Sequence, residues 1–309
     1  MPRNPEESPD LSTSHEQPAT NGAQPAATSD APPAPSPESP AASHESPVPS
    51  PRPPLLDFRN ISVTRGATTV LHNITLRIHA GEHAAILGPN GCGKSTLIKT
   101  ITRECYPLAR PESSLTILGH DTWNVFELRT MLGIVSNDLM STCTRDITGL
   151  EVVLSGFFSS IGIQPYHHIT PAQLEKSHQV LDLLEVPHLA DRFMTEMSSG
   201  EGRRILIARA MVHHPLALLL DEPSNSLDVS ATLELRALLR KLAQSGIGIL
   251  IVTHHLPDII PEIDRVILLK AGRIFADGTK SDLLTTERLG ELFGVPVEMG
   301  RRDGYYHLW

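Results

Sequence analysis

Cysteines are scarce in this chain of 309 residues. Cys92, Cys105 and Cys143 are odd in number, lie far apart in the sequence and form no CxxC pair. A disulfide framework needs paired cysteines, and a thiolate zinc site needs closely spaced ones. We therefore expect a reducing compartment and neither a structural disulfide nor a zinc site.

Long apolar runs are also missing. No stretch approaches the roughly 18 to 20 apolar residues that a membrane-spanning helix needs, and the N-terminus lacks the apolar core of a secretory signal. A basic excess is missing as well, because 35 Asp and Glu residues outnumber 26 Lys and Arg residues. These absences predict a cytoplasmic protein that does not bind nucleic acid.

Large apolar side chains are nearly absent from residues 1–54. This segment holds 15 of the 26 prolines, together with seven acidic and two basic residues. Such a composition cannot bury enough apolar surface to offset the entropy lost when the chain is ordered. The sequence therefore predicts a disordered tail over residues 1–54.

A glycine-rich loop, ILGPNGCGKST, lies between a short apolar segment and a helical pattern. Glycines let successive amides approach phosphate oxygens, the lysine brings a positive charge to the outer phosphates, and the serine hydroxyl is a ligand for Mg²⁺. The residues predicted to bind the nucleotide are Gly88, Pro89, Asn90, Gly91, Cys92, Gly93, Lys94, Ser95 and Thr96. A glycine-rich turn without a ligand is the alternative, and the flanking strand and helix disfavour it.

The pattern from residue 55 onward predicts an α/β fold. Alternating segments between Leu56 and Ile78 are typical of half-buried antiparallel strands. The continuous apolar runs at 216–220 and 247–252 are typical of buried parallel strands. Residues 146–193 have apolar residues at helical spacing, which predicts a helical insertion in the α/β domain.

Two shorter segments are less regular. Met131 to Val135 are predicted to form a strand that enters an irregular stretch rich in Ser, Thr and Asn. A helix is predicted from Arg203 onward, where apolar residues recur at helical spacing.

Asp221 and Glu222 follow the apolar run of residues 216–220. An Asp at the end of a buried strand beside the phosphate loop is suited to hold Mg²⁺, usually through water ligands. Glu222 can then orient or deprotonate the attacking water. A simple Asp-Glu-Pro turn is the alternative, and the phosphate loop favours the catalytic role.

These motifs together resemble the ATP-binding cassette (ABC) ATPases over residues 55 to about 299. Ser198-Ser-Gly-Glu201 resembles the family signature LSGGQ, Ser226-Leu-Asp228 resembles the D-loop, and Thr253-His254 resembles the switch histidine. The resemblance implies a P-loop NTPase core with an antiparallel β subdomain and an inserted α-helical subdomain, the ABC ATPase fold. Residues 300–309 would be a C-terminal extension. The segments VVLSGFFSSIG and FGVPVE are similar to the molybdate and iron-complex importer branch.

The resemblance also implies Mg²⁺-dependent ATP hydrolysis in a head-to-tail dimer, with a second copy or with another ABC subunit. Each site would join the phosphate loop of one subunit to Ser198, Gly200 and Asp228 of the other, and His254 would donate to the γ-phosphate. A soluble ABC ATPase of translation or DNA repair is the alternative. Those factors usually join two cassettes or carry a long linker, and neither is visible in this sequence.

A membrane permease is the partner that the resemblance implies. Its cytoplasmic helices would dock on the helical insertion, where Phe157 and Phe158 add apolar surface. Adjacent residues on a helix face different directions, so we expect one of the two rings to be partly exposed. The protein would then lie peripherally at the inner face of the cell membrane.

The sequence departs from the family pattern at several positions. Met197, Ser199 and Glu201 replace Leu, Gly and Gln of the signature. Arg65 stands where family members carry an aromatic residue that stacks on adenine. A guanidinium can also stack on a base, and an exposed loop arginine without this role is the alternative. Asn137 stands near the place of a Gln that contacts the metal, so it is a predicted metal ligand beside Ser95 and Asp221.

Three histidine doublets occur, at 167–168, 213–214 and 254–255. We predict no metal site at them, because helical neighbours point apart and no carboxylate or thiol cluster matches them.

Overall fold

The computed structural model of the protein describes residues 54–309. Apart from Pro54, the predicted tail of residues 1–54 lies outside the described residues. The strands are β1 (Leu56–Arg65), β2 (Thr68–Ile78), β3 (Ala84–Leu87), β4 (Ser114–Ile117), β5 (Leu132–Val135), β6 (Ala217–Asp221), β7 (Gly248–Thr253), β8 (Arg265–Lys270), β9 (Arg273–Thr279), β10 (Met299–Arg302) and β11 (Tyr305–Leu308). The helices are α1 (Lys94–Ile101), α2 (Val125–Met131), α3 (Asn137–Cys143), α4 (Gly149–Ser155), α5 (Pro171–Leu183), α6 (Ser199–Met211), α7 (Val229–Gln244), α8 (Lys280–Leu283) and α9 (Thr286–Phe293).

A six-stranded sheet in the order β5-β6-β7-β3-β8-β9 forms the centre of the domain. Its first five strands are parallel, and β9 joins β8 in the antiparallel direction. Leu87 pairs with Thr253, and Asp221 pairs with Val252. The carboxyl ends of β3, β6 and β7 therefore meet at one edge of the sheet, which brings together three motifs that are distant in the sequence.

Alternate residues of the buried strands pack on opposite faces of this sheet. Leu218 and Leu220 join the core beneath helices α4 to α7, whereas Leu219 joins the core shared with α1. The second core also contains the three-stranded antiparallel sheet β2-β1-β4. Strand β6 is covered on both faces, which explains the continuous apolar run in its sequence.

The predicted helical insertion begins and ends at one place. Thr148 and Phe193 form an isolated antiparallel bridge, so the chain leaves and rejoins the core side by side. Thr148 caps α4 and Thr170 caps α5, each through a capping box with the residue three positions later. Phe157 and Phe158 lie in a short 3₁₀ turn after α4, and both rings are partly exposed.

Strands β10 and β11 form a hairpin at the C-terminus. Tyr306 is buried in the main core, and β11 packs against the turn Leu256–Asp258. Trp309 closes the hairpin by two backbone hydrogen bonds with Glu298, at 2.9 and 3.1 Å.

The boundaries differ from the sequence prediction in three places. Met131 belongs to α2 rather than to the following strand. The stretch after Val135 that was expected to be irregular is helix α3, because the Ser136 hydroxyl accepts a hydrogen bond from the amide of Leu139 and caps it. Helix α6 begins at Ser199, before the predicted start at Arg203. In residues 54–309, none of the helices is both long and apolar enough to cross a membrane.

Candidate nucleotide-binding and catalytic site

The phosphate loop leaves β3 at Leu87 and enters α1 at Lys94. Its first glycine is packed so closely that a Cβ atom on Gly88 would lie 2.3 Å from the backbone oxygen of Leu269. Gly91 and Gly93 have φ angles of +77° and +109°, which L side chains rarely adopt. A loop with this backbone, at the N-terminus of a helix, is suited to bind a polyphosphate through its amides.

A cleft of about 570 Å³ opens beside the loop. This volume lies within the range of roughly 300 to 1,000 Å³ that small-molecule sites occupy. The residues that line it are Arg65, Val70, Asn90, Gly91, Gly93, Lys94, Ser95, Thr96, Glu222, Asn225 and His254. The predicted residues Arg65, Glu222 and His254 therefore share one cleft with the phosphate loop, and the residues present fit a nucleotide.

Cys92 belongs to the loop but points its side chain into the core. Its thiol is buried, and this burial raises its pKa. The sulfur would also lie 2.7 Å from a Cβ atom on Gly88, so it fills the space beneath the loop. Cys92 thus supports the cradle from below, as a small buried side chain.

Lys94 is buried at the base of the cleft, with 6% of its surface exposed. Its ammonium donates to the backbone oxygens of Gly88 at 2.8 Å and Pro89 at 3.2 Å. It also lies 3.4 Å from Oε1 of Glu222. The lysine is therefore fixed over the loop, where its charge can reach an outer phosphate.

Glu222 directs its two carboxylate oxygens at different groups. Oε1 faces Lys94, whereas Oε2 lies 2.8 Å from Nδ1 of His254 and 3.2 Å from the hydroxyl of Thr253. The backbone of Glu222 has φ of +47°, which costs energy for a residue with a side chain and is a feature common at functional sites. Its amide donates to the oxygen of Val252 at 2.8 Å and holds this conformation.

Asp221 lines a second cleft of about 510 Å³, which α1 also lines. Ser95 and Ser136 line the same cleft. Burial, followed by the charge of Glu222, raises the pKa of Asp221 to about 6, while Lys94 opposes the shift. A half-buried carboxylate in a cleft that two hydroxyl side chains also line is a suitable place for a hard cation such as Mg²⁺.

Asn137 is placed differently from the prediction for a metal ligand. Its side-chain oxygen accepts a hydrogen bond of 2.7 Å from Arg203, a buried residue on α6. Its neighbours Ser136 and Asp138 line the cleft with Ser95 and Asp221, whereas Asn137 does not.

The signature segment lies next to the D-loop. The Ser199 hydroxyl donates to the backbone oxygen of Ser226 at 2.9 Å, and a Cβ atom on Gly200 would lie 2.7 Å from Cβ of Ala231. Asp228 caps α7 by accepting from the amide of Ala231 at 2.8 Å. These residues are grouped together, and they do not line the cleft of the phosphate loop in their own chain.

Glu201 forms a capping box with Ser198 at the start of α6. The amide of Ser198 donates to Glu201 at 2.8 Å, and Arg192 lies 3.0 Å from the other carboxylate oxygen. The hydrogen bond from the Ser198 amide is the largest cause that lowers the pKa of Glu201. The Ser198 amide, which was expected to face a phosphate, is thus hydrogen-bonded within the chain. The negatively charged carboxylate of Glu201 interacts with this amide and with Arg192.

The histidine doublets differ from one another. His167 stacks on Phe158 with ring centroids 4.1 Å apart, and His213 meets the edge of Phe157 at 5.2 Å. The doublet 254–255 contradicts the expectation that no carboxylate matches it, because ligand atoms of His254, His255 and Glu222 lie within 4.8 Å of one another.

Sequence reasoning missed Asp258 and the hydroxyl of Thr253. The Thr253 hydroxyl donates to the buried carboxylate of Asp258 at 2.7 Å and accepts from the amide of His255 at 3.0 Å. Burial is the main cause that raises the pKa of Asp258. The signal that could have found it is an acidic residue shortly after a strand that ends in Thr-His.

Comparison with known proteins gives consistent matches. Residues 71–225 match the sequence model of the family described as "ABC transporter". The ATP-binding protein YlmA of Bacillus subtilis, described as an uncharacterized ABC transporter protein, is 31% identical over 250 residues, which cover 79% of this chain and 93% of YlmA. The hemin import ATP-binding protein HmuV of Hahella chejuensis is 34% identical, with 76% of this chain and 91% of HmuV covered.

A solved structure shows the same fold. The structure of cbiO1 from Clostridium perfringens, described as part of the ABC transporter complex cbiONQ, superposes with a TM-score of 0.65 at 25% identity. The match covers 77% of this chain and 94% of cbiO1.

Proposed function

The chain belongs to the ABC transporter family as an ATP-binding subunit, and we propose that it hydrolyses ATP with Mg²⁺ between two such subunits to drive import through a membrane-embedded partner. The observation that carries the proposal is the contact of Glu222 with both Lys94 and His254 at the edge of the sheet. This contact joins a phosphate-binding cation to a carboxylate that can accept a proton.

Nucleotide binding falls to the loop and its lysine. The amides of the loop and the ammonium of Lys94 would hold the phosphates, and Arg65 at the rim of the cleft would contact the base. Ser95 and Asp221 would hold Mg²⁺. When bound, this ion supplies charge compensation on the phosphate oxygens.

Glu222 is the residue proposed to take the proton from the attacking water. Oε2 is the oxygen available for this task, because Oε1 faces Lys94. His254 holds Oε2 in place through its Nδ1 at 2.8 Å and its backbone amide at 3.3 Å. A contact of His254 with the γ-phosphate would use Nε2, since Nδ1 already faces the carboxylate.

A second subunit would complete the site. Ser198, Gly200 and Asp228 are grouped on one side of the domain, outside the cleft of their own phosphate loop. The amides of Ser199 and Gly200 precede the first intrahelical bonds of α6, so they can bind an anion that another chain presents, whereas the Glu201 amide donates to the Ser198 hydroxyl. Either a second copy or another ABC subunit would serve.

The part of the second cleft that Leu139 and Ile161 line, apart from the Ser95 and Asp221 lining proposed for Mg²⁺, is the proposed docking place of the membrane partner. It lies between α1, α3 and the turn that follows α4, and Leu139 and Ile161 supply apolar lining. Cytoplasmic helices of a permease would bring the protein to the inner face of the cell membrane. Similarity to a hemin import protein favours a metal complex as the cargo, with an oxyanion as the other candidate.

Affinity purification from detergent-solubilised membranes of the native organism tests the transport role. The wild-type chain is expected to recover an integral membrane protein, and Ile161→Glu should lose it while ATP binding and the circular dichroism spectrum stay unchanged. Leu183→Glu is the control, because Leu183 is an exposed apolar residue of α5 away from the cleft. Recovery of no membrane protein by the wild-type chain would overturn the transport role.

A further inference from the structure

Glu222, His254 and His255 form a cluster with the composition of a metal site. One ligand atom from each residue can be chosen so that all three lie within 4.8 Å of one another. Among residues 54–309 this is the one such group of histidine, cysteine and acidic side chains.

The chain path explains why two consecutive histidines lie on the same side. Along a strand, successive side chains point to opposite faces. Strand β7 ends at Thr253, however, and the chain bends into the turn Leu256–Asp258 directly after His255. The centroids of the two imidazole rings consequently lie 3.7 Å apart, with 42° between the ring planes.

Glu222 offers one of its oxygens to this cluster. Oε1 lies 3.4 Å from the ammonium of Lys94, which repels a second cation on that side. Oε2 lies 2.8 Å from Nδ1 of His254, a hydrogen-bond distance, and the two atoms need to separate to about 3.3 Å to become ligands of one tetrahedral zinc ion. An approaching cation therefore meets Oε2 together with imidazole nitrogen.

We propose that Glu222, His254 and His255 bind a divalent transition-metal ion of the zinc class, and that this ion blocks ATP hydrolysis. Two imidazole nitrogens and one carboxylate oxygen are ligands that zinc accepts with tetrahedral geometry, leaving the fourth position for water. Mg²⁺ prefers oxygen ligands, so the cluster discriminates against the ion used in hydrolysis.

The inhibitory effect follows from the residues that the ion would occupy, and this part rests on the proposed function. A carboxylate that coordinates a metal through Oε2 cannot accept a proton from water through the same oxygen. His254 would be fixed on the metal and kept from the phosphate. The site would thus convert an excess of free transition metal into a lower rate of hydrolysis.

The first experiment measures Zn²⁺ binding to the untagged, nucleotide-free chain by competition with a chromophoric chelator. We expect one ion per chain at this site and an affinity that falls at least about tenfold in His255→Asn, since even indirect partners of metal ligands commonly change affinity by that factor. Excess Mg²⁺ should not displace the ion. The control is His214→Asn, an exposed member of another doublet, which should bind as the wild type does.

The second experiment uses Co²⁺ as a spectroscopic substitute and follows ATPase activity with Mg²⁺. The visible absorption of bound Co²⁺ should disappear in His255→Asn. This variant should hydrolyse ATP at the wild-type rate without zinc and require at least about tenfold more Zn²⁺ for inhibition.

Three outcomes would overturn the inference. Zinc affinity equal in the wild type and in His255→Asn would remove the site and show that zinc binds elsewhere on the chain. If His255→Asn loses zinc binding but zinc does not inhibit the wild-type ATPase, the site exists and the inhibitory role is wrong. If the chain hydrolyses no ATP, the proposed function and the proposed inhibition are both wrong. The zinc-binding measurement would still show whether the metal site exists.

Discussion

One terminal nitrogen of the Arg203 guanidinium donates to the side-chain oxygen of Asn137 at 2.7 Å, across a separation of 66 residues. Arg203 is 3% exposed, and its Nε and Nη1 have no hydrogen-bond partner in residues 54–309. Burial lowers the pKa of this guanidinium, and the nearby charges of Asp221 and Asp258 oppose that effect. Asn137 therefore satisfies a buried cation and links the first turn of α3 to α6.

Replacing Asn137 by Ala should destabilise the fold. The change leaves a third guanidinium nitrogen without a partner, which costs about 1 to 3 kcal/mol in the free energy of unfolding. Urea unfolding measures it, with Ser141→Ala as a control on the exposed face of α3. A loss below about 0.5 kcal/mol with a shifted Mg²⁺ requirement would favour the metal-ligand role instead.

Glu222→Gln should retain ATP binding and lower hydrolysis by at least ~10², because the amide cannot accept the proton. It should also accumulate an ATP-bound dimer, visible by size-exclusion chromatography. Lys94→Ala should instead lose nucleotide affinity, measured by titration with a fluorescent ATP analogue. Hydrolysis by Glu222→Gln within twofold of the wild type would refute this mechanism.

Two glycine substitutions in the phosphate loop should differ in their effects. Gly88→Ala places a Cβ atom 2.3 Å from backbone, so the loop must shift and both stability and nucleotide affinity should fall. Gly91→Ala meets nothing within 4 Å and suffers mainly from its positive φ, at a cost of about 1 to 2 kcal/mol. Thermal unfolding with and without ATP compares them, and equal losses would contradict the packing argument.

The cap of α6 should make stability depend on pH. Folding lowers the pKa of Glu201, so its stabilisation is fully present above the unfolded value of about 4.3 and is lost as the pH falls through the folded value. Glu201→Gln keeps an oxygen for the Ser198 amide and does not titrate. Urea unfolding between pH 7 and 3 should show the advantage of the wild type over Glu201→Gln shrinking below about pH 4.3; a constant difference would contradict this cause.

Much of the fold could be predicted from local patterns. The apolar run at 216–220 predicts a buried parallel strand because every residue of β6 between Ala217 and Leu220 is covered on both faces. The position of the phosphate loop between a strand and a helix could be predicted because its glycines, lysine and serine are all adjacent in the sequence. Helix α3 was missed because a short run of Ser, Thr and Asn has weak helical propensity, and the cap at Ser136 decides the outcome.

The parts of the site that could not be predicted depend on contacts between distant segments. No local pattern pairs Asn137 with Arg203. The sequence around Arg203 does not show that this arginine is buried rather than exposed. The distance between His254 and His255 depends on a bend after β7, and the carboxylate that joins them comes from another strand. The periodicity of apolar residues predicts which residues are buried. These contacts depend instead on the backbone conformation of the loops at the edge of the sheet.

The C-terminal hairpin has a practical consequence for anyone who studies the enzyme. Trp309 closes β11, and β11 rests on the turn that directly follows His255. An affinity tag or fluorescent protein fused after Trp309 would perturb the hairpin and, through it, the turn that follows His255. The resulting change in the rate of ATP hydrolysis would resemble the effect of a mutation in His254 or His255. A polyhistidine tag would in addition compete for zinc. The position and type of the tag therefore decide whether a measured ATPase rate or zinc affinity is that of the protein or that of the fusion.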